Sequence, residues 1–250
     1  MEAMPAAIAL ARWALSLRPT PDELADAQRQ LIDVTACALA AVPDSVVAST
    51  SGEEAALRWA AAAHVLVLDG VHLPTTTHID TVAVIATLAA NGGAESYIVG
   101  AGVMARIASA LGPKHAASGW HTTCTAGAIG AAAGAGIALR LDDEELAVAM
   151  SLAVPAAGGI RRAFGTPGKA LQVGFATAAG VRAARLAAAG SRTNPEMLDD
   201  WLVLVGEGQP LELGTPCIPG GLMIKLHPCS IALQRPIDAA RRLAVAEAEV

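Results

Sequence analysis

The side chains best suited to acid–base chemistry in this chain are a few widely separated histidines and one lysine. His64, His72 and His78 gather around the segment Asp69-Gly-Val-His72-Leu-Pro-Thr-Thr-Thr-His78, where Pro74 and the threonines predict a loop. An imidazole there can move a proton near neutral pH. Helix-end capping by the same histidines is the competing use, and the residues alone leave both open. His121 stands in Gly119-Trp-His-Thr-Thr-Cys-Thr125, at the predicted start of an Ala/Gly helix. The free N–H groups of a helix start attract an anion, and a neighbouring imidazole can donate to it. A hydroxyl-rich N-cap without a ligand explains the same residues equally well.

Lys169 opens Lys169-Ala-Leu-Gln-Val-Gly174, the start of a predicted helix to about Gly190 whose other face is almost only Ala, Gly and Val. Such a helix packs backbone-close against its neighbours and holds the lysine at the edge of a dry core. An ammonium group fixed there suits an organic carboxylate, although a snorkelling surface lysine is the ordinary alternative. Arg161, Arg162 and Lys225 add cations in loops beside apolar helices and favour an acid-binding pocket. Asp69 and His72 are candidate substrate contacts in the same loop as His78. No histidine pair has HxxxH or HxH spacing, so no metal or cofactor is expected. Tyr97 falls in a predicted helix and is expected to pack, and Cys229 lacks an evident base and is expected as a small buried side chain.

Composition narrows the class. The chain has 54% hydrophobic residues and a mean hydropathy of +0.47, which raises the question of a membrane span. Its longest charge-free run, Ala116 to Leu139, is interrupted by His121, hydroxyl residues and glycines rather than built from Leu, Ile and Phe. Closely packed helices away from a membrane are therefore expected. Glu2, Pro5 and Arg12 break any secretory leader pattern at the start. Cys37, Cys124, Cys217 and Cys229 show no CxxC pairing and fit reduced thiols in a cytoplasm. The net charge of −6 argues against nucleic acid as a partner.

Helix signals recur with little strand signal between them. Thr20-Pro-Asp-Glu23 is a capping box with proline at the first helical position, predicting a helix to about Ala41. Ser51-Gly-Glu-Glu54 predicts a second helix to about Val67, Asp142-Asp-Glu-Glu145 a third, and Asn194-Pro195 a fourth. Residues 79–91, 97–111, 121–139 and 169–189 are Ala-rich and proline-free, which predicts helix in each. Gly206–Gly221 reads as a loop or junction, followed by a last helix over about Ser230–Glu247 that Pro236 kinks or truly begins. The fold class is all-α, a multi-helix bundle of eight to ten helices, divided as a helical domain (1–215) and a loop with a terminal helix (216–250).

In their order these motifs resemble the MmgE/PrpD family of 2-methylcitrate dehydratase, cis-aconitate decarboxylase and iminodisuccinate epimerase. The resemblance runs through Leu31-Ile-Asp-Val-Thr, Ala55-Ala-Leu, Ala63-His64, Asp69-Gly-Val-His72 and His78. It continues through Gly119-Trp-His121-Thr-Thr, Lys169-Ala-Leu-Gln-Val-Gly174 and Lys225-Leu-His-Pro-Cys229. It implies a large helical domain, usually dimeric, acting without metal on small di- or tricarboxylic acids. The positions of His78, His121 and Lys169 would line the active site, with Lys169 on a substrate carboxylate and the histidines orienting the acid or transferring protons. Three departures matter. The family's Leu-Asp-Phe-Asp-Asp-Thr-His is here Leu66-Val-Leu-Asp-Gly-Val-His72, so its catalytic aspartate is Val67 and its threonine is Val71. Its His-Pro-Ser is His78-Ile-Asp80. Family members are also roughly twice as long, with a smaller α/β lid that this chain would lack.

Two functions follow as expectations. One is a lyase or isomerase acting on a small or specialised carboxylic acid by elimination, epimerisation or ring closure, with His78, His121 and Lys169 as its catalytic set. The other is a non-catalytic carboxylate-binding or scaffold protein that pairs with a separate lid-bearing chain.

Overall fold

A computed structural model describes residues 4–248, and the side chains of residues 4–243. The chain is all-α: eleven α-helices and no strand occur among the described residues, with only isolated bridges between loops. The capping box at Thr20 is formed, with Thr20 Oγ1 accepting from Glu23 N and Glu23 Oε2 accepting from Thr20 N, and it starts α2 (Pro21–Ala40). The same reciprocal arrangement between Asp142 and Glu145 starts α8 (Asp143–Ala153). Between them lie α4 (Ala55–Val65), α5 (Ile79–Ala89), α6 (Ala94–Ala117) and α7 (Thr122–Ala138). Helices α9 (Gly168–Ala188), α10 (Met197–Val205) and α11 (Gln234–Ala248) follow.

Several boundaries differ from expectation. The eleven helices exceed the anticipated eight to ten by one, and two of them had no helix-start signal: α1 (Ala6–Ser16), which has only Pro5 at its N-cap and no capping side chain, and the short α3 (Ser45–Ser49). Ser51 does not open α4; Glu54 is the N-cap, and its side chain makes no capping bond. Helix α6 runs through Gly112-Pro113, where a φ of +70° at Gly112 kinks it. Pro236 sits in the first turn of α11 and marks its start, since its missing N–H is unneeded there. No described helix is long and apolar enough to cross a membrane.

Helix α7 is buried along nearly its whole length between α6 and α9. Small residues make this possible. A Cβ on Gly180 of α9 would stand 2.7 Å from Ala132 N of α7, and one on Gly174 would stand 2.6 Å from Leu57 O of α4. Backbones this close fix the axial position of α9, and with it the height at which Lys169 projects.

Residues 206–233 form an irregular strap laid back over the helices. Buried Arg106 of α6 holds it: its guanidinium donates to the carbonyls of Glu212, Gly214, Pro216 and Cys217 while lying 3.9 Å over the Trp13 ring. Glu23, already in its capping box, accepts from Cys217 N at 3.0 Å with its other oxygen. Those backbone donors hold the Glu23 carboxyl down at about 2. A two-bond bridge between Val71 and Met223 ties the strap to the loop before α5.

Candidate active site

Three helix N-termini meet at one cavity. His78 is the N-cap of α5, His121 is the N-cap of α7, and Lys169 is the second residue of α9. All three line a cavity of about 460 Å³, together with Arg161, Phe164 and the strap's Lys225. Neither histidine caps its helix with its ring, so both rings are available for other partners. The helix starts are registered by the chain itself: His78 N donates to Thr123 Oγ1 at 3.1 Å, joining α5 to α7. His121 N donates to Gly159 O and Arg161 N donates to Gly119 O, each at 2.8 Å, which brings the Arg161 loop alongside α7.

Behind His78 lies a buried carboxylate. Asp69 is fully buried, and its Oδ2 lies 2.7 Å from His64 Nδ1 and 3.0 Å from His78 Nδ1. Thr81 donates its hydroxyl to the same oxygen at 2.5 Å. Lys225 Nζ stands 3.9 Å from Oδ1 and donates to the carbonyls of Val67 and Cys229. Burial alone would raise the Asp69 carboxyl, but the facing imidazoles and their N–H groups hold it well below the usual range. Burial pushes His64 down to about 4, so this ring is neutral and donates from Nδ1.

His121 is also buried. Loss of water is the main reason its imidazole is pushed down to about 2, and His64, Lys169, His78 and Arg161 act in the same direction. Its Nδ1 accepts from the Gln172 amide at 2.7 Å and lies 3.1 Å from Cys124 Sγ. Phe164 meets the His121 ring edge-on with centroids 4.8 Å apart, and the Lys169 ammonium lies 5.6 Å over the Phe164 ring. Burial, and then Lys225 close by, lower Lys169 from its ordinary value against the pull of Asp69.

The expected residues thus fall into two groups. His78, His121, Lys169, Arg161 and Lys225 share the cavity wall. Asp69, His72 and Arg162 are not part of its lining. Asp69 is the buried support just described. His72 uses both ring nitrogens structurally, Nδ1 with the Thr75 hydroxyl at 2.7 Å and Nε2 with Pro219 O at 2.6 Å, which helps hold the strap. Arg162 is exposed. Tyr97 is buried and donates to Asp80 Oδ1 at 3.1 Å. Cys229 is half-buried, with Gln234 Nε2 at 3.2 Å from its sulfur.

Two contributors escaped the sequence, Phe164 and Gln172. His64, read there as one of three clustered histidines, proves to be the hydrogen-bond partner of Asp69. Among the described residues His64, Asp69 and His78 are the one group whose possible ligand atoms lie within 4.8 Å of one another. Their shortest approaches all run through one carboxylate oxygen, by a hydrogen bond from His64 and an ion-pair contact to His78. Val67 and Val71 form part of the cavity's apolar wall, with Trp120, Phe164 and Ile231. Val67 has a φ of +56°, a left-handed conformation that a β-branched residue adopts under strain.

Residues 45–201, well over half the chain, match the model of the MmgE/PrpD N-terminal domain. No curated protein matches the chain.

Proposed function

The chain belongs to the MmgE/PrpD family, and we propose that it is a lyase or isomerase acting on a small or specialised carboxylic acid by metal-free acid–base chemistry. The observation that carries this reading is the meeting of three helix N-termini, Lys169 and Arg161 around the rings of His78 and His121. A carboxylate entering the cavity would meet the Lys169 ammonium, the Arg161 guanidinium and the positive ends of α5, α7 and α9.

In this proposal His78 is the base. Its Nδ1 faces Asp69, which orients the ring, and Nε2 is left to take a proton from the carbon next to the bound carboxylate. The charge that develops spreads onto the carboxylate oxygens as an enediolate. Lys169 and His121 stand where they would stabilise it. From that intermediate a leaving group on the next carbon departs with its bonding electrons and takes up the proton from His78, or the carbon closes a ring by attacking an electrophilic carbon of the same molecule. In an epimerisation a second donor of the cavity wall, such as the Lys169 ammonium, protonates the opposite face. Val67 and Val71 make the wall less polar than the family aspartate and threonine would, which favours a substrate larger or less charged than methylcitrate. We further propose that the protein works as a homodimer in the cytoplasm, without a nucleic-acid or membrane partner.

One feature favours the second reading, a carboxylate-binding protein without turnover: no Asp or Glu lines the cavity among the described residues. Incubating purified protein with a panel of small polycarboxylates and unsaturated acids separates the two. Loss of water or CO₂ by mass spectrometry, or inversion by chiral analysis, supports the enzyme. Saturable binding without any product supports the binding protein, and neither binding nor product overturns both.

A further inference from the structure

We infer that Gln172 is a positioning residue that locks His121 in the tautomer carrying its hydrogen on Nε2, so that this ring faces the cavity as a hydrogen-bond donor. Ile160 N donates to Gln172 Oε1 at 2.9 Å, and Ile160 O accepts from Gln172 Nε2 at 3.3 Å. A backbone N–H is always a donor, so the carbonyl end of the amide must face Ile160 N. The NH₂ end is therefore the end that lies 2.7 Å from His121 Nδ1. Turning the amide over would set two donors against each other at Ile160 and remove the donor from His121. The Cys124 thiol, whose own ionisation burial pushes out of reach, stands 3.1 Å from the same nitrogen and supplies a second S–H donor.

Two donors converging on Nδ1 require a lone pair there, and the ring hydrogen must then sit on Nε2. The loop that presents Ile160 is itself fixed. Gly159 has a φ of +139°, and a Cβ on it would lie 2.5 Å from Cys124 Cβ, so only glycine lets this loop approach α7 closely enough.

The consequence deepens the function proposed above and rests on its cavity. His78 has its Nδ1 against the Asp69 carboxylate, an acceptor, whereas His121 has its Nδ1 against an amide donor. The two rings are supported in opposite senses: His78 is set to take a proton, and His121 is set to donate a hydrogen bond to a carboxylate or enediolate oxygen. His64, His78, Lys169 and Arg161 also face His121, and none of them offers it an anion.

The test is spectroscopic and needs no substrate. Protein labelled with ¹⁵N in its histidines is observed by long-range ¹H–¹⁵N correlation, and the His121 signals are identified by their loss in His121→Gln. The expected wild-type pattern is an unprotonated Nδ1 and a protonated Nε2, unchanged between about pH 7.5 and about pH 5, although a free imidazole would titrate between them. Gln172→Glu replaces the donor with an acceptor; it should move the hydrogen to Nδ1 and raise the ring's titration midpoint by at least about one unit. A wild-type ring that carries its hydrogen on Nδ1, or that titrates near the ordinary value, overturns the inference whether or not the variant folds. A tautomer as stated in a protein that turns over no acid leaves this inference standing and removes only the enzymatic reading.

Discussion

His64 Nδ1 and Asp69 Oδ2 lie 2.7 Å apart with neither side chain exposed to solvent. The Thr81 hydroxyl donates to the same oxygen and His78 Nδ1 stands 3.0 Å from it, while the Lys225 ammonium faces the other oxygen as a counter-charge at 3.9 Å. Asp69→Asn should therefore affect two properties at once. It leaves Lys225 buried without its counter-charge and removes the anion behind His78. We expect a destabilisation of about 1–3 kcal/mol by urea denaturation, the range for breaking a buried polar contact. Turnover should fall by at least about a hundredfold. A variant as active as wild type would remove Asp69 from the proposed proton path.

Lys169→Ala and His121→Ala should each lower turnover at least about tenfold, because a positioned acid–base or charged group commonly contributes 10²–10⁴. Lys169→Ala should also raise KM for the acid. Steady-state kinetics on whichever substrate the acid panel identifies gives the answer. Wild-type-like rates in both variants would exclude the proposed catalytic set.

Asp80 gives a prediction about pH. Burial pushes its carboxyl up to about 7 against the Tyr97 hydrogen bond, and its Oδ2 has no partner. The folded state thus holds this proton at pH values where the unfolded chain has lost it. A raised carboxylate lends stability at low pH, and that stability is lost as pH rises through about 7. Asn mimics the protonated acid, keeps an acceptor for Tyr97 and has no proton to lose. The loss begins above the unfolded value of 3.8, so Asp80→Asn should match wild type only at or below about pH 4 and exceed it at about pH 9 in paired urea melts. Equal stability at both pH values would refute this account of Asp80.

Gly180→Ala tests the close approach that fixes α9. In an open helix this change stabilises by about 1 kcal/mol through backbone entropy. Here the new methyl meets Ala132 N at 2.7 Å, so overpacking should win, with a net loss of about 1–3 kcal/mol. A rise in Tm would mean that α7 and α9 can separate freely.

Val67→Asn tests the strained turn beside the cavity. Asn tolerates the left-handed region better than valine, and a left-handed non-glycine conformation costs about 1–2 kcal/mol. The half-buried valine contributes less apolar burial than a core residue would, so the variant should be at least as stable as wild type. A clear loss in Tm would show that valine's packing outweighs its backbone strain.

Local signals made much of this fold legible. The capping boxes at Thr20 and Asp142 depend on residues three apart, and both helices begin where those residues say. Pro236 likewise marks the start of α11. Helix α1 was invisible because Pro5 provides no capping side chain, and Gly112-Pro113 hid the continuation of α6. The site divides along the same line. His78, His121 and Lys169 stand at helix starts, which sequence can suggest. The support of Asp69 by His64 spans a turn, and Gln172 acts through the backbone of Ile160, a contact no side-chain pattern records. Lys225 reaches the cavity only because Arg106 and Glu23 bind carbonyl and amide groups of the strap.

The convergence of α5, α7 and α9 has a consequence for alkaline conditions. Lys169 gives up its charge earlier than a free lysine would, because burial lowers its ionisation. Peptide dipoles have no such proton to surrender. An acid held in the cavity should therefore retain part of its affinity after the ammonium has been neutralised, anchored by main-chain groups that neither base nor side-chain mutation can discharge.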